Sequence, residues 1–258
     1  MPRDLSALAN DRTLQDMSSL SKVSERDSSY EQSMSQQDED QMIATLSQRS
    51  TQLDELHPYT QTLSLSDIES CVVLENAAFP PEERASREKF QYRLKHCSEL
   101  CLGIFSSQEN SDAATAETSA PVFSGEPQRK AVLLGHVIAT KAAGETVTDD
   151  DMAVPAPGQI DPKLGHKEHG RTICIHSLAV LPEYQHRGLG KTIVKAYLQR
   201  MQRQEVADRV ALIAHDYLVT YYEQFGFVNK GESAAQFGGG GWIDMVSEFE
   251  LMPTSGEN

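Results

Sequence analysis

Residues 173–201 read ICIHSLAVLPEYQHRGLGKTIVKAYLQRM, and the order of signals in this stretch decides the fold. An apolar strand runs to Val180 and Pro182 breaks it. Gln185-His186-Arg187-Gly188-Leu189-Gly190 follows, and an amphipathic helix opens near Leu189, with Val194, Leu198 and Met201 at core spacing. Glycines at a strand-to-helix junction let the backbone approach a ligand closely. The N-terminus of a helix offers unpaired N–H groups and a partial positive charge, which together make a cradle for a pyrophosphate.

Charge agrees with that reading. The 258-residue chain carries a formal net charge of -15, yet no Asp or Glu interrupts Gln185–Lys191, and Arg187 and Lys191 add positive charge there. Two other phosphate loops are excluded. GxxxxGK[ST] is absent, and Gly188-x-Gly190 lacks the third glycine of a dinucleotide fingerprint. An acidic chain is also a poor ligand for nucleic-acid backbones, which reward dense Lys and Arg.

Outward from this stretch the chain divides in two. Residues 1–52 are rich in Ser, Gln, Asp and Glu, with Tyr30 as the single aromatic. Such a segment cannot bury enough apolar surface to offset its ordering entropy, so a disordered tail is expected. Residues 53–258 form the folded domain, with flexible insertions at 106–128 and 142–170, both longer than ordinary connections. Strands are expected over 60–65, 100–105, 131–140, 172–180, 209–215 and 241–251. Helices are expected from a Ser66/Glu69 capping box to about Ala78, after a Ser86 cap, from Leu189, and over 217–225. Mixed strands and helices around one sheet make an α/β fold.

Cys71, Cys97, Cys101 and Cys174 form no CxxC pair and no zinc spacing, which leaves reduced, buried thiols and no metal. No run approaches the roughly 20 apolar residues of a membrane span, and Met1–Arg12 lacks the apolar core of a signal peptide. A cytoplasmic location without a membrane partner is the expectation.

Gln185–Gly190 matches the (R/Q)xxGx(G/A) signature of the GNAT superfamily of N-acetyltransferases. With SELCLGIF (98–105), IHSLAV (175–180) and YYEQFGF (221–227), the chain resembles the serotonin or arylalkylamine N-acetyltransferases and their fungal polyamine-acetylating relatives. The resemblance covers about Leu56 to Leu251. It implies a mixed sheet splayed near its fourth strand, helices on both faces, and acetyl-CoA as co-substrate in the splay. Backbone groups of Leu178, Ala179 and Val180 would hold the pantetheine arm and polarise the acetyl carbonyl. Gln185, His186, Arg187, Gly188, Leu189, Gly190 and Lys191 would bind the pyrophosphate.

The chemistry needs a base, because an alkylamine with a pKa near 10.4 is protonated at neutral pH and cannot attack. By the resemblance His176 removes that proton, and Tyr222 matches the general acid for the departing thiolate. The animal arylalkylamine enzymes carry a second histidine where this chain has Cys174. Water, or an acid of the 80–84 loop such as Glu82 or Glu83, is a candidate substitute, though both glutamates also read as solvated loop charges. His215 and Asp216 end a strand near the site, as strand terminus or as substrate contact. The expected partner is a small-molecule amine, an arylalkylamine or a polyamine, met by a monomer. Ser50 beside Arg49 is a candidate phosphorylation site through which the tail would recruit a partner. Acetylation of a protein N-terminus or lysine, and a non-catalytic acyl-CoA-binding module, are the alternative functions.

Overall fold

The computed structural model describes residues 3–4, 56–107, 112–119, 130–156 and 158–249. The reading of residues 1–52 as disordered therefore lies outside the described residues, apart from the two-residue strand β1 (Arg3–Asp4). The remaining strands are β2 (Pro58–Thr62), β3 (Leu102–Ser106), β4 (Val132–Ala142), β5 (Thr172–Val180), β6 (Arg209–Ala214), β7 (Val228–Glu232) and β8 (Ile243–Glu248). They form one mixed sheet in the order β1-β2-β3-β4-β5-β6-β8-β7. Among the described strands only β5 and β6 pair in parallel.

Among the described residues five α-helices accompany the sheet: α1 (Ile68–Ala78), α2 (Arg87–His96), α3 (Asp149–Met152), α4 (Leu189–Gln204) and α5 (Val219–Glu223). Helices α1 and α2 pack on each other and on β4, whereas α4 covers the opposite face of β3, β4 and β5. The amphipathic pattern explains α4. Leu189, Ile193, Val194, Tyr197 and Met201 are buried on one side, and the Tyr197 hydroxyl donates to the Leu100 carbonyl at 2.9 Å.

The strand 172–180 falls where the sequence places it, and Ser86 caps α2 through the Lys89 N–H. Other expectations are corrected. The first strand lies at 58–62, because a 3₁₀ turn over Leu65–Asp67 precedes α1. The Asp67 carboxylate, one bond shorter than that of Glu69, accepts from the Ser64 N–H and hydroxyl at 2.8 Å each. Glu69 instead pairs with Arg87 on α2 at 2.6 Å. Strand β7 was not anticipated; all five of its residues are exposed, so it lacks the apolar alternation that marks a strand.

The segment 142–170, expected as a flexible insertion, packs on the sheet: Val147, Asp151 and Met152 are buried. The fully buried Arg93 donates to the Met152 carbonyl at 3.0 Å, and Asp149 accepts the N–H groups of Gln236 and Phe237. Part of the other insertion also packs, with the Thr115 hydroxyl on the Leu133 carbonyl at 2.6 Å. A polar network sits between α1 and the sheet. The Glu75 carboxylate accepts from the Ser177 hydroxyl (2.7 Å) and the Ala85 N–H (2.8 Å), and lies 3.2 Å from His136 Nε2. Burial alone would raise the Glu75 carboxyl; His136, Ala85 and Ser177 outweigh it and hold it below the ordinary value.

Candidate active site

The site begins where a ladder stops. Strands β5 and β6 pair only over Thr172–Ile175 and Arg209–Leu212. Beyond Ile175 they diverge, and β5 remains paired with β4 alone as far as Val180. The β4–β5 register shifts at Ile138/Ala139, where Ser177 and Ile175 find partners and His176 does not. His176 is thus the extra residue of a β-bulge, a device that re-aims a side chain. Leu178, Ala179 and Val180 follow on the edge that β6 has left. In open α/β sheets, ligands bind outside the carboxyl ends of such strands.

The loop after β5 has the backbone form of an anion cradle. His186 and Gly188 take left-handed backbone conformations, with φ of 60° and 89°, and Gly188 is the N-cap of α4. The buried Leu189 side chain anchors the loop, and the Gln185 side chain donates to the Val180 carbonyl at 3.0 Å. Among the described residues the amides of 186–191 donate to no acceptor; Thr192 N–H, bonded to the Gly188 carbonyl, is the first used. A Cβ at Gly188 would meet nothing within 4 Å. The Arg187 guanidinium lies 5.1 Å from the Tyr184 ring centre, and no acid occupies the first turn of α4. These are the features a pyrophosphate requires.

The 131 residues 119–249, half of the chain, match the model described as Acetyltransferase (GNAT) domain. The chain belongs to the GNAT acetyltransferase family. A GNAT enzyme is an acyltransferase, and acetyl-CoA is the co-substrate that the 186–191 cradle fits. Over 73 residues the chain is 36% identical to the serotonin N-acetyltransferase of Mesocricetus auratus, covering 28% of this chain and 35% of that protein. The Macaca mulatta enzyme of the same name is 34% identical over 73 residues, 36% of its length. The match thus spans about a third of these curated relatives. Among solved structures, the loading GNATL domain of CurA from Lyngbya majuscula superposes with a TM-score of 0.52 at 10% identity, covering 74% of this chain and 98% of that one. The GphF GNAT-like decarboxylase in complex with isobutyryl-CoA superposes at 0.51 and 14% identity, covering 74% and 99%. Both show the fold.

The residues expected to be catalytic lie in two separate groups. In the first, His176 Nε2 is 2.7 Å from the Thr140 hydroxyl and Nδ1 is 2.9 Å from the Met152 sulfur. A thioether is at best a weak acceptor, so the arrangement fits Nδ1–H on sulfur and Thr140 donating to Nε2. Burial, with the nearby Arg93 and Lys89 charges, holds the imidazole well below its ordinary value. Burial, helped by Asp151, pushes the neighbouring Cys174 thiol up. In the second group Tyr222, 7% exposed, packs edge-on against Tyr221 and Phe227. Its hydroxyl makes no hydrogen bond among the described residues. Burial, with Tyr221 and Tyr217, pushes its pKa up, so it stays protonated. Tyr221 points its hydroxyl at α4, where a Cβ on Gly190 would stand 3.0 Å from it. No hydrogen bond or ring contact joins His176 to Tyr222.

A third group was missed or left open in the sequence. His215 follows β6 on the diverged side of the splay. Its Nε2 lies 3.1 and 3.2 Å from the Glu83 carboxylate oxygens. Its ring stacks on Tyr217 (5.3 Å) and lies tilted against Trp242 (4.2 Å). Glu83 is therefore a paired residue rather than a solvated charge, whereas Glu82 stays exposed. Thr140, Met152 and Trp242 gave no sequence signal, since each reads as core in isolation.

The depressed His176 has a consequence for stability. Its unfolded value is about 6.5, and its native value is lower. Below about pH 6.5 the unfolded chain binds a proton that the native state does not, so stability is full above that pH and falls as pH drops through the window, by at most ~1.4 kcal/mol per pH unit. Urea denaturation of the wild type and His176→Gln, at several values between about pH 7 and about pH 5, should show a shallower slope in the variant. Equal slopes would place the titration on another group.

Proposed function

We propose that the protein transfers the acetyl group of acetyl-CoA directly to a primary amine of a small molecule. The observation that carries this reading is the closure of the acceptor side of the splay. The 3₁₀ turns Pro81–Glu83 and Phe237–Gly239 lie against each other, so that a Cβ at Gly238 would stand 3.0 Å from Glu83 Cγ and 3.5 Å from the Glu82 carbonyl. Behind them stand the Glu83 carboxylate and the faces of His215, Tyr217 and Trp242. A carboxylate among aromatic faces suits an organic cation, and two touching turns leave little groove for an extended peptide. The four free, buried thiols suit a reducing, cytoplasmic setting.

In this reading the amine loses its proton toward His176 through water and then attacks the thioester. Tyr222 supports the departing thiolate. The Glu83–His215 pair is the second candidate for proton removal, because its carboxylate faces the acceptor side. His176→Gln is expected to lower kcat/KM by about tenfold or more, most severely at lower pH, where free amine is scarcest. Raising the pH should partly restore it. Glu83→Gln is expected to act mainly on KM. If Glu83→Gln takes the pH-dependent loss and His176→Gln does not, the base is the Glu83–His215 pair. The test of the function itself is a panel with acetyl-CoA: spermine, putrescine, serotonin, phenylethylamine and a lysine peptide. Turnover of the peptide alone would favour a protein acetyltransferase, and binding without turnover a regulatory module.

A further inference from the structure

Tyr221 of α5 reaches across to the first turn of α4. Outside that helix and the chain neighbours, a Cβ on Gly190 would meet only this side chain within 4 Å, the hydroxyl oxygen at 3.0 Å and Cζ at 4.0 Å. Edge-on contacts with Tyr222 (5.3 Å) and Phe225 (5.1 Å) hold the ring, so the hydroxyl has a fixed place. That oxygen has no hydrogen-bond partner among the described residues, yet unlike the Oδ1 of Asp244 it is not sealed from solvent. Burial of the ring pushes its pKa up, so it stays protonated and can donate. The ring alone accounts for the packing, which leaves the hydroxyl a donor in want of an acceptor.

Gly190 is informative for the same reason. It lies inside α4 and its φ is not positive, so the backbone does not demand glycine there. A larger residue would instead displace the Tyr221 oxygen. The space so kept lies beside the amides of 186–191, which donate to no acceptor among the described residues, in a first turn free of acids.

We propose that Tyr221 is a further co-substrate-binding residue. Its hydroxyl donates to an acceptor oxygen of acetyl-CoA, on the pyrophosphate or on the adjoining pantetheine arm, and Gly190 leaves room for it. Helix α4 then supplies backbone N–H groups and α5 a side-chain O–H, so two elements close on one ligand. Both kinds of oxygen accept from a hydroxyl, the charged one more strongly. Ring packing has already positioned the donor, so little side-chain freedom is lost on binding. The inference concerns the co-substrate and stands whichever acceptor is acetylated.

Isothermal titration reads it without turnover and without an amine. Tyr221→Phe keeps the ring and should raise the Kd of acetyl-CoA by about fivefold or more. Unchanged affinity overturns the proposal. ADP has the pyrophosphate but no pantetheine arm. A loss seen with ADP as well places the acceptor on the pyrophosphate, and a loss confined to acetyl-CoA places it on the arm; either sustains the hydroxyl as a binding group. Gly190→Ala is the second variant. It should weaken acetyl-CoA binding when Tyr221 is present and much less in the Tyr221→Phe background, where no oxygen is displaced. Equal losses in the two backgrounds overturn the pairing of Gly190 with the hydroxyl.

Discussion

Gly190→Glu is expected to weaken acetyl-CoA binding by about 100-fold or more, close to 2.7 kcal/mol, in a protein that still folds. The new Cβ would stand 3.0 Å from the Tyr221 hydroxyl at the end of a side chain, so a small shift accommodates it. The carboxylate is welcome where it lands, since an acid in the first turn of a helix is stabilised by about 0.3–1 kcal/mol. The same free amides that favour it are the ones the pyrophosphate needs. The variant therefore repels the phosphates and competes with them at once, while the fold gains slightly. Gly190→Ala, which adds the Cβ without the charge, should lose far less. Isothermal titration with acetyl-CoA measures both. Unchanged affinity in the glutamate variant would move the phosphate site off the α4 N-terminus.

Tyr222→Phe is expected to lower kcat by about 100-fold with little change in acetyl-CoA affinity. The ring is packed by Tyr221 and Phe227 and stays in place; only the hydroxyl, which no hydrogen bond among the described residues uses, is removed. Its chemistry is constrained. A thiol titrates near 8.5 and an ordinary tyrosine near 10, and burial pushes Tyr222 higher still. Complete proton transfer to a free thiolate is therefore uphill. On the proposed mechanism the hydroxyl would contribute a hydrogen bond that strengthens as charge builds on sulfur. An acetyl donor with a more acidic thiol needs that bond less, so the variant's defect should shrink with it. Wild-type turnover in the variant would reduce Tyr222 to packing.

The sequence was most legible where function is carried by backbone. Strand 172–180, the turn at Gln185–Gly190 and the start of α4 emerge at the expected positions, because glycine, proline and apolar periodicity are local signals. Side-chain partnerships were not legible. His176 stands out beside the signature, but its neighbours Thr140 and Met152 come from β4 and from a segment that composition marks as loop. Glu83 and His215 are 132 positions apart, and neither has a local feature that distinguishes a partner from a solvated charge. Ser64–Asp67 forms the cap where Ser66–Glu69 is expected; the two boxes overlap with the same three-residue spacing, so a spacing rule alone does not choose between them.

The splay also divides the sheet mechanically. Among the described residues, the ladder Thr172–Ile175 against Arg209–Leu212 is the only strand pairing that joins β1–β5 to β6–β8. Four residues on each side therefore form the seam between two half-sheets. A molecule lying in the gap past Ile175 can bond to the unpaired edges and act as a removable length of strand. By mass action, acetyl-CoA at 100 times its Kd would add about 2.7 kcal/mol to the folded state. A co-substrate held there would serve as a clasp as well as an acetyl donor.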